Sequence, residues 1–303
     1  MANIPSWVYK LLIVLATIIW GFSFVVMKDV VAVLPPAWLL GMRFLFAGAL
    51  LLVILRKRVM RFCSRKVVTY GFILGVLDFT AFWLQTVGLK HTTPGINAFL
   101  TATYCVLVPF AWWLIARKRP TAFNIVAAIV AVCGIWLVSV SSSGETLSIG
   151  FGEAMTLGCA VAFAAHIVAV SRFAQKCDAL VLTVFQFIAE GALGIVFGAA
   201  TETFPGIAAF TPEIIGQMLF LAVFASVVAF GIQNVSLAHV PPTQASLLLS
   251  LESVFGVVFS ILLYGEQMTL RLVVGFVLIF AAIVISETLP LKEEPCRRKT
   301  TSS

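Results

Sequence analysis

The fold is decided by a stretch that occurs twice in the chain. Residues 72–94 read FILGVLDFTAFWLQTVGLKHTTP, and residues 220–242 read FLAVFASVVAFGIQNVSLAHVPP. Many of the apolar matches would arise between any two apolar segments. The polar and proline pairs, which chance seldom aligns, are Gln85/Gln233, His91/His239 and Pro94/Pro242. Because the same shift aligns residues 72–139 with residues 220–287 without a gap, we infer two related halves.

The composition places these halves in a membrane. Hydrophobic residues make up 61% of the chain and charged residues 11%, and the mean hydropathy is +1.08. Soluble domains contain about 45–50% apolar and about 25% charged residues, so a water-soluble fold could not cover this apolar surface. Apolar runs of about 20 residues, the length of a membrane-spanning helix, recur along the chain. The predicted spans are 8–27, 36–55, 67–89, 93–116, 121–141, 151–171, 179–200, 214–237, 241–264 and 268–288.

The distribution of Lys and Arg orients the predicted helices. With a cytoplasmic N-terminus, 16 of the 20 basic residues face the cytoplasm, in agreement with the positive-inside rule. Reversing the topology or removing one helix destroys this asymmetry, so both termini are predicted to be cytoplasmic. The net charge of +7 therefore reflects topology and contact with the lipid bilayer, and nucleic acid is not expected as a partner.

The repeat and the orientation together specify the architecture. Each half holds five spans, and an odd number forces the second half to cross the membrane in the opposite sense. We predict an all-α membrane protein with ten transmembrane helices in two inverted five-helix repeats. The first repeat covers residues 1–142 and the second residues 143–290, and a basic cytoplasmic tail follows at 291–303. Inverted repeats are typical of transporters, whose binding site lies near the midplane between the halves.

Four short motifs resemble those of the drug/metabolite transporter superfamily, and in particular its EamA-type members. They are Trp20-Gly21-Phe22-Ser23-Phe24, Arg43-Phe44, the stretch from Gln85 to Pro109, and Tyr264-Gly265-Glu266. The resemblance covers nearly the whole chain. It implies ten helices, cytoplasmic termini, a central cavity between the halves and carriage of small metabolites, often outward. It does not fix the substrate, because relatives handle amino acids, nucleotide sugars, cofactors and drugs.

Three carboxylates are predicted to lie near the bilayer midplane on three different helices. Counted from the outer ends of their spans, Asp78, Glu190 and Glu252 lie at depths of about 15–18 Å. Ionisable residues at such depths usually serve function. We therefore predict that Glu252, which has no basic neighbour on its own helix, binds a substrate ammonium group or carries a proton. The alternative is a protonated Glu that hydrogen-bonds to a backbone carbonyl and holds helices together.

Other polar and aromatic side chains are predicted to line the same cavity. The repeat places Tyr104 opposite Glu252, and Asn97, Thr101 and Tyr104 fall on one helical face. The full predicted substrate-binding set is Glu252, Tyr104, Asn97, Thr101, Asp78, Gln85, Gln233, Glu190 and Trp20. For the Asn, Thr and Gln residues, hydrogen bonding between helices is an equally good interpretation. Arg43 is predicted to form a structural ion pair with Asp78 or Glu190, since buried charges are usually paired.

The function expected from these features is secondary or facilitated transport by alternating access. The solute is expected to be a small metabolite, amino-acid-like and exported, with protons as a candidate coupling ion. The location is the inner (plasma) membrane, with the chain crossing it several times. A multidrug or nucleoside exporter is the alternative within transport, and an intramembrane lipid-modifying enzyme or a membrane scaffold is the alternative outside it. No catalytic residue, metal site or cofactor is predicted, and no Walker-type loop is present.

Overall fold

A computed structural model describes residues 5–116, 119–139, 149–237 and 248–288. These residues are almost entirely helical, as the composition predicted. The α-helices are α1 Ser6–Val33, α2 Pro36–Ile54, α3 Arg56–Phe62, α4 Arg65–His91, α5 Pro94–Ala102, α6 Tyr104–Ala116, α7 Ala122–Ser139, α8 Phe151–Phe173, α9 Ala179–Thr201, α10 Pro212–Phe220, α11 Ala229–Leu237, α12 Leu251–Phe259 and α13 Leu270–Thr288. Two π-helical segments, Leu221–Val228 and Ser260–Tyr264, continue α10 and α12.

Seven of these helices or helix pairs are long and apolar enough to cross a membrane. They are Trp7–Val33, Pro36–Ile54, Arg65–His91, Pro94–Leu114, Phe151–Phe173, Ala179–Thr201 and Pro212–Gln233. Three shorter apolar helices occupy the positions of the other predicted spans, at Ala122–Val138, Leu251–Tyr264 and Leu270–Ser286. The protein is therefore a multi-pass membrane protein. The predicted boundary at 142/143, the start of the predicted ninth span and the tail at 291–303 lie outside the described residues.

Pro and Thr residues set where several helices begin. Thr93 precedes Pro94, and its hydroxyl accepts a hydrogen bond from the Ile96 N–H across 3.3 Å. Thr211 caps α10 in the same way, with Pro212 as the first helical residue. A Thr cap satisfies a free N–H of the first turn, and Pro is tolerated there because its missing N–H has no partner to lose. These boundaries follow from local sequence alone.

Glycines bring helices of the two halves into backbone contact. A Cβ atom placed on Gly194 of α9 would lie 2.6 Å from backbone atoms of Gly41 on α2. A Cβ atom on Gly134 of α7 would meet the carbonyl oxygen of Gly275 on α13 at 2.9 Å. Helices in lipid associate mainly through close packing, for which small residues are required. The pairs α2–α9 and α7–α13 therefore depend on glycine.

The helices pack in reciprocal pairs across the two halves. The second helix of each half packs on its counterpart (α2 on α9), and so do the fourth helices (α5 on α12) and the fifth (α7 on α13). The first helix α1 packs on α12 and α11, and its counterpart α8 packs on α5, α6 and α4. A twofold relation between the halves requires this exchange of partners. The internal repeat read from the sequence thus has a counterpart in the packing.

An ion pair joins α3 to the start of α9 at the predicted cytoplasmic end. Arg58 Nη2 lies 2.8 Å from Asp178 Oδ2, and Asp178 Oδ1 also accepts from the Val181 N–H at 3.1 Å. Burial tends to raise the pKa of Asp178, but the hydrogen bonds from Arg58 and the Val181 N–H outweigh it and bring this pKa below its ordinary value. The ionised form is therefore favoured in the folded state.

Asp178→Asn is expected to lower the thermal stability by less than about 1 kcal/mol, because Arg58 is half-exposed and Asn still caps the helix. A carboxylate with a lowered pKa stabilises the fold above its unfolded-state pKa, and this contribution is lost as the pH falls through the folded-state pKa. The wild-type advantage should thus be constant at neutral pH, begin to fall near the unfolded-state pKa of about 4, and vanish only below the lower folded-state pKa of Asp178. Thermal unfolding of both proteins across this pH range tests the sign. A difference that grows on acidification would contradict it.

Candidate functional site

The helices that carry Tyr104 and Glu252 are interrupted within one residue of equivalent positions. The α5–α6 helix breaks at Thr103, whose hydroxyl donates to the Leu100 carbonyl at 2.6 Å. The helix of the second half turns at Ser250, and α12 begins at Leu251. Tyr104 and Glu252, which the repeat aligns, are therefore the first residue of α6 and the second residue of α12. Discontinuous helices near the repeat interface are where transporters of this architecture bind solutes.

The break at Thr103 lies on the N-terminal side of Pro109, which is inside α6. Proline removes one helical hydrogen bond and its ring crowds the carbonyl four residues earlier, here that of Cys105. The Thr103 N–H donates to the Leu100 carbonyl oxygen at 3.3 Å. This is an i→i+3 bond, in place of the i→i+4 bond of a regular α-helix. The predicted shared face of Asn97, Thr101 and Tyr104 is therefore divided between two helices. Asn97 and Thr101 are buried, whereas Tyr104 keeps part of its surface accessible.

Glu252 lies deep among protein atoms and yet keeps part of its surface accessible to solvent. This combination is typical of a side chain that lines an internal cavity. Its neighbour across the bundle is Cys159 of α8, which lies within electrostatic range of both Glu252 and Asp78. Cys159 Sγ in turn lies 3.9 Å from Thr101 Oγ1 on α5. Glu252 therefore lies near α8, on a helix that packs on α5.

A continuous series of aromatic rings crosses the bundle, and we refer to it as the aromatic arc. Ring centroids of successive members lie between 5.1 and 6.1 Å apart. The members, in spatial order, are Trp20, Phe230, Phe187, Phe44, Phe82, Phe163 and Tyr104. They belong to seven elements of both halves, α1, α11, α9, α2, α4, α8 and α6. The last ring of the arc belongs to Tyr104, which is the residue that the repeat aligns with Glu252.

The arc itself obeys the repeat. Phe82 aligns with Phe230 under the shift that relates residues 72–139 to residues 220–287, and a slightly shorter shift pairs Phe44 with Phe187 and Trp20 with Phe163. The two arms meet where Phe44 and Phe187 lie 5.3 Å apart. The sequence-based site included Trp20 and Tyr104, but it did not select the five Phe members because the chain has 26 Phe residues. Selecting only aromatics that align with aromatics in the repeat would have found them.

Trp20 is held by the π-helical segment Leu221–Val228. Its indole N–H donates to the Ala225 carbonyl oxygen at 2.8 Å. A π-helical turn leaves carbonyl groups out of the regular α-helical pattern, and here the freed group accepts from a helix of the other half. The aromatic arc is thereby anchored at one end by a contact between the halves.

A second group of side chains, which we call the buried polar cluster, lies behind the arc. It consists of Arg43 (α2), Asp78 (α4), His166 (α8), Gln186 and Glu190 (α9) and Ser226 (π-helical segment), none of which is more than 7% exposed. Asp78 Oδ2 accepts from Gln186 Nε2 at 2.6 Å, and Asp78 Oδ1 lies 3.6 Å from His166 Nδ1. Glu190 lies within electrostatic range of Asp78 and Arg43. The structure thus brings Asp78 and Glu190 together and separates them from Glu252.

Arg43 does not form the contact ion pair that the sequence predicted. Among the described residues, no carboxylate oxygen lies within 4 Å of its guanidinium. Its Nε donates to Ser226 Oγ at 2.9 Å, and the guanidinium carbon lies 4.7 Å from the Phe44 ring centroid and 5.3 Å from that of Phe82. The two Phe faces hold the cation, so its interaction with the carboxylates acts through space.

Of the remaining predicted residues, Gln85, Asn97 and Thr101 form hydrogen bonds between helices, and Gln233 is the candidate for a cavity wall. Gln85 Nε2 donates to Thr101 Oγ1 at 3.1 Å, and Asn97 Nδ2 donates to Thr156 Oγ1 at 2.7 Å and to the Gln85 carbonyl at 3.2 Å. These bonds join α4, α5 and α8, which favours the interhelical interpretation for Gln85, Asn97 and Thr101. Gln233, on α11, is half-buried.

The Tyr264-Gly265-Glu266 motif links helices of the two halves at the predicted outer end of the bundle. Gly265 has φ +71°, a conformation that favours glycine, and it ends the π-helical segment. The Glu266 carboxylate accepts from the hydroxyls of Ser260 and Thr93 and, at 3.1 Å, from the Gly95 N–H. It thereby joins the start of α5 in the first half to the second half. The sequence-based site did not include it.

Comparison with known families gives these features a common origin. The model of the EamA-like transporter family matches this chain twice, over residues 7–140 and residues 150–288. The chain belongs to the EamA-like transporter family. Two EamA repeats thus occupy the two halves, and the resemblance read from the motifs is confirmed.

Two of the three relatives described next carry transporter names. An "Uncharacterized transporter" of Archaeoglobus fulgidus is 29% identical over 89% of this chain and 83% of its own. The "Uncharacterized transporter YvbV" of Bacillus subtilis is 26% identical over 95% of this chain and 94% of its own. "Protein PagO" of Salmonella typhimurium is 24% identical over 95% and 96%, respectively. A solved crystal structure covers 95% of this chain and 99% of its own with a TM-score of 0.66 and 16% identity, and shows the same fold.

Proposed function

We propose that this EamA-like transporter is a ten-helix secondary or facilitated carrier that exports a small amino-acid-like metabolite across the inner (plasma) membrane. Two inverted halves alternately open the central cavity to each side, and both termini lie in the cytoplasm. The observation that carries the proposal is the position of Glu252. It is a deep but accessible carboxylate in the first turn of α12, just after an interruption of its helix, and the repeat aligns it with Tyr104.

The chemistry around Glu252 suits a zwitterion with an apolar side chain. A carboxylate at this depth attracts an ammonium group strongly, because little water is present to screen the charge. Tyr104 and the partly accessible arc members Trp20, Phe163 and Phe230 offer ring surface, which binds apolar groups and also attracts cations. Gln233 adds an amide to the same region through its place on α11. A multiply charged phosphate would be repelled by Glu252, which argues against nucleotides and nucleotide sugars.

The polar contacts between the halves support the proposed orientation. Glu266 meets Thr93 and Gly95, and Glu202 accepts from the Ala37 N–H at 3.0 Å. All of these residues are predicted to lie at the outer ends of their spans. Arg58 meets Asp178, and both are predicted to lie at the cytoplasmic ends. Every one of these contacts joins residues that the proposed topology places on the same side of the membrane.

The size of the aromatic arc favours one alternative, a multidrug or nucleoside exporter of the same superfamily. Rings stack well on nucleobases and on flat cationic drugs, and seven rings exceed what a small amino acid needs. The amino-acid and drug interpretations share Glu252 and differ in how much of the arc the solute covers.

Solute exchange in proteoliposomes tests the proposal. Vesicles that contain purified protein are preloaded with an unlabelled amino-acid mixture, and entry of labelled amino acids is followed at equal pH on both sides. We expect saturable exchange well above that of protein-free vesicles. Exchange of nucleosides or cationic drugs, with none of amino acids, would replace the amino-acid assignment with the alternative. Exchange of none of these solutes would contradict the proposed carrier function.

A further inference from the structure

The buried polar cluster contains two acids and one permanent base within the membrane. Arg43, Asp78 and Glu190 are 2%, 0% and 0% exposed, and Arg43 lies within electrostatic range of both carboxylates. With all three groups ionised, the cluster would carry a net negative charge at a position where no water can solvate it. A buried charge without compensation is strongly unfavourable. One added proton makes the cluster neutral.

We propose that the buried polar cluster is a proton-binding site, that Glu190 holds the proton, and that this site couples proton movement to solute transport. The inference rests on the proposed carrier function for the coupling alone. Asp78 and Glu190 then lie outside the solute site, which is built around Glu252. Glu252 thus serves the solute, and the buried pair of Asp78 and Glu190 serves the coupling ion.

The hydrogen bonds indicate which acid is protonated. Asp78 Oδ2 accepts a short hydrogen bond from Gln186 Nε2, an interaction that stabilises a carboxylate. Both oxygens of Glu190 and Oδ1 of Asp78 are buried without any other hydrogen-bond partner, and the two carboxyl groups lie within reach of each other. A proton on Glu190 can therefore be donated to the free Asp78 oxygen, whereas two anions at this place would both lack a donor. Asp78 is therefore the ionised member that balances Arg43, and Glu190 is the neutral one.

The polar and ionisable groups that face this pair come from four surrounding elements. They are Arg43 from α2, His166 and Cys159 from α8, Gln186 from α9 and Ser226 from the π-helical segment. The His166 Nδ1 lies 3.6 Å from Asp78 Oδ1, which is longer than a hydrogen bond.

The cluster is built from both halves, and this provides the coupling. Arg43 and Asp78 belong to the first repeat, whereas His166, Gln186, Glu190 and Ser226 belong to the second. The charge balance exists only while the two halves hold these groups together. When the halves rock apart, Glu190 leaves the vicinity of Asp78, and the condition that keeps it protonated is lost. A movement that transports solute would therefore also release a proton.

Infrared spectroscopy of the full chain in lipid nanodiscs at neutral pH tests the proton site without any solute. We expect a carboxylic-acid C=O band that is lost in Glu190→Gln. Asp78→Asn should also lose it, because Arg43 then balances an ionised Glu190, whereas Arg43→Gln should double it. Glu213→Gln, which removes an exposed carboxylate, is the matched control and should retain the band. Persistence of the full band in Glu190→Gln or in Asp78→Asn would overturn the proposal, and monodispersity of each variant excludes misfolding as the cause.

The coupling is tested in the same proteoliposomes with labelled amino acids. We expect wild-type protein to concentrate the label when a pH gradient is imposed, and Glu190→Gln to give the same uptake with and without the gradient. Wild-type exchange that a gradient does not alter would overturn the coupling and leave the carrier function intact. Absence of exchange with the infrared pattern as expected would overturn the carrier function and leave the proton site intact.

Discussion

Glu252→Gln is expected to slow amino-acid exchange in proteoliposomes by about 100-fold. Loss of one partner of a buried, hydrogen-bonded charge pair costs about 2–5 kcal/mol of binding, and about 1.4 kcal/mol corresponds to a factor of ten. The amide preserves the size of the side chain but cannot attract an ammonium group by charge. The effect should appear mainly as a weaker apparent affinity, so that part of the exchange returns at high solute concentration.

Two comparisons separate this role from a structural one. Glu213→Gln, at the exposed outer end of α10, is the matched control and should exchange solute as wild type does. Glu252→Gln should unfold at the wild-type temperature, since Glu252 forms no described ion pair whose loss would leave a buried charge. Equal exchange by Glu252→Gln and wild type, or an equal loss of exchange and of thermal stability, would contradict a solute-binding role.

Gly194→Ala is expected to lower the stability of the folded protein by about 2–3 kcal/mol. The added methyl carbon would lie 2.6 Å from backbone atoms of Gly41, and a backbone cannot move aside as a flexible side chain can. The helices α2 and α9 would have to separate along their contact, which costs as much as overpacking of a dense core. The measurement is the unfolding midpoint in detergent, together with the yield of monodisperse protein.

Gly216→Ala provides the matched control for this substitution. Gly216 also lies within a helix, but nothing lies within 4 Å of the position of its Cβ atom. Alanine is favoured over glycine in a helix by about 1 kcal/mol, so this variant should be as stable as wild type or more stable. Comparable destabilisation of both variants would show that the α2–α9 contact is not especially demanding.

The aligned positions of the repeat supplied part of the candidate site, because residues that lie on the axis between the halves are close to their aligned mates. Tyr104 and Glu252 were placed opposite each other by alignment, and each follows a helix interruption in the structure. Asp78 and Glu190 were predicted at similar depths, but depth along a helix does not specify direction around it. Whether these acids face the solute cavity or a separate cluster depends on the packing of α4 against α9.

Individual contacts were less predictable than positions. Arg43 was expected to contact a carboxylate, yet Phe44 and Phe82 hold its guanidinium and Ser226 accepts its hydrogen bond. Ser226 lies 183 residues from Arg43 in the sequence, in a π-helical segment that no local sequence pattern predicts. The aromatic arc was missed for a related reason, since an aromatic residue in an apolar helix can face lipid, a neighbouring helix or a cavity.

The sequence by itself determined that this protein lies in a membrane, that it is helical and duplicated, and that it is a transporter of the EamA-like family. These properties depend on composition, on the length of apolar runs and on the order of residues along one chain, which the sequence contains explicitly. The tertiary structure was needed to see that Tyr104 ends the aromatic arc and that Asp78, Glu190 and Arg43 lie close together. The reason is physical: the sequence gives each residue's depth in the bilayer, whereas the rotation of each helix and the partners it meets are set by close packing between glycine-lined surfaces far apart in the chain.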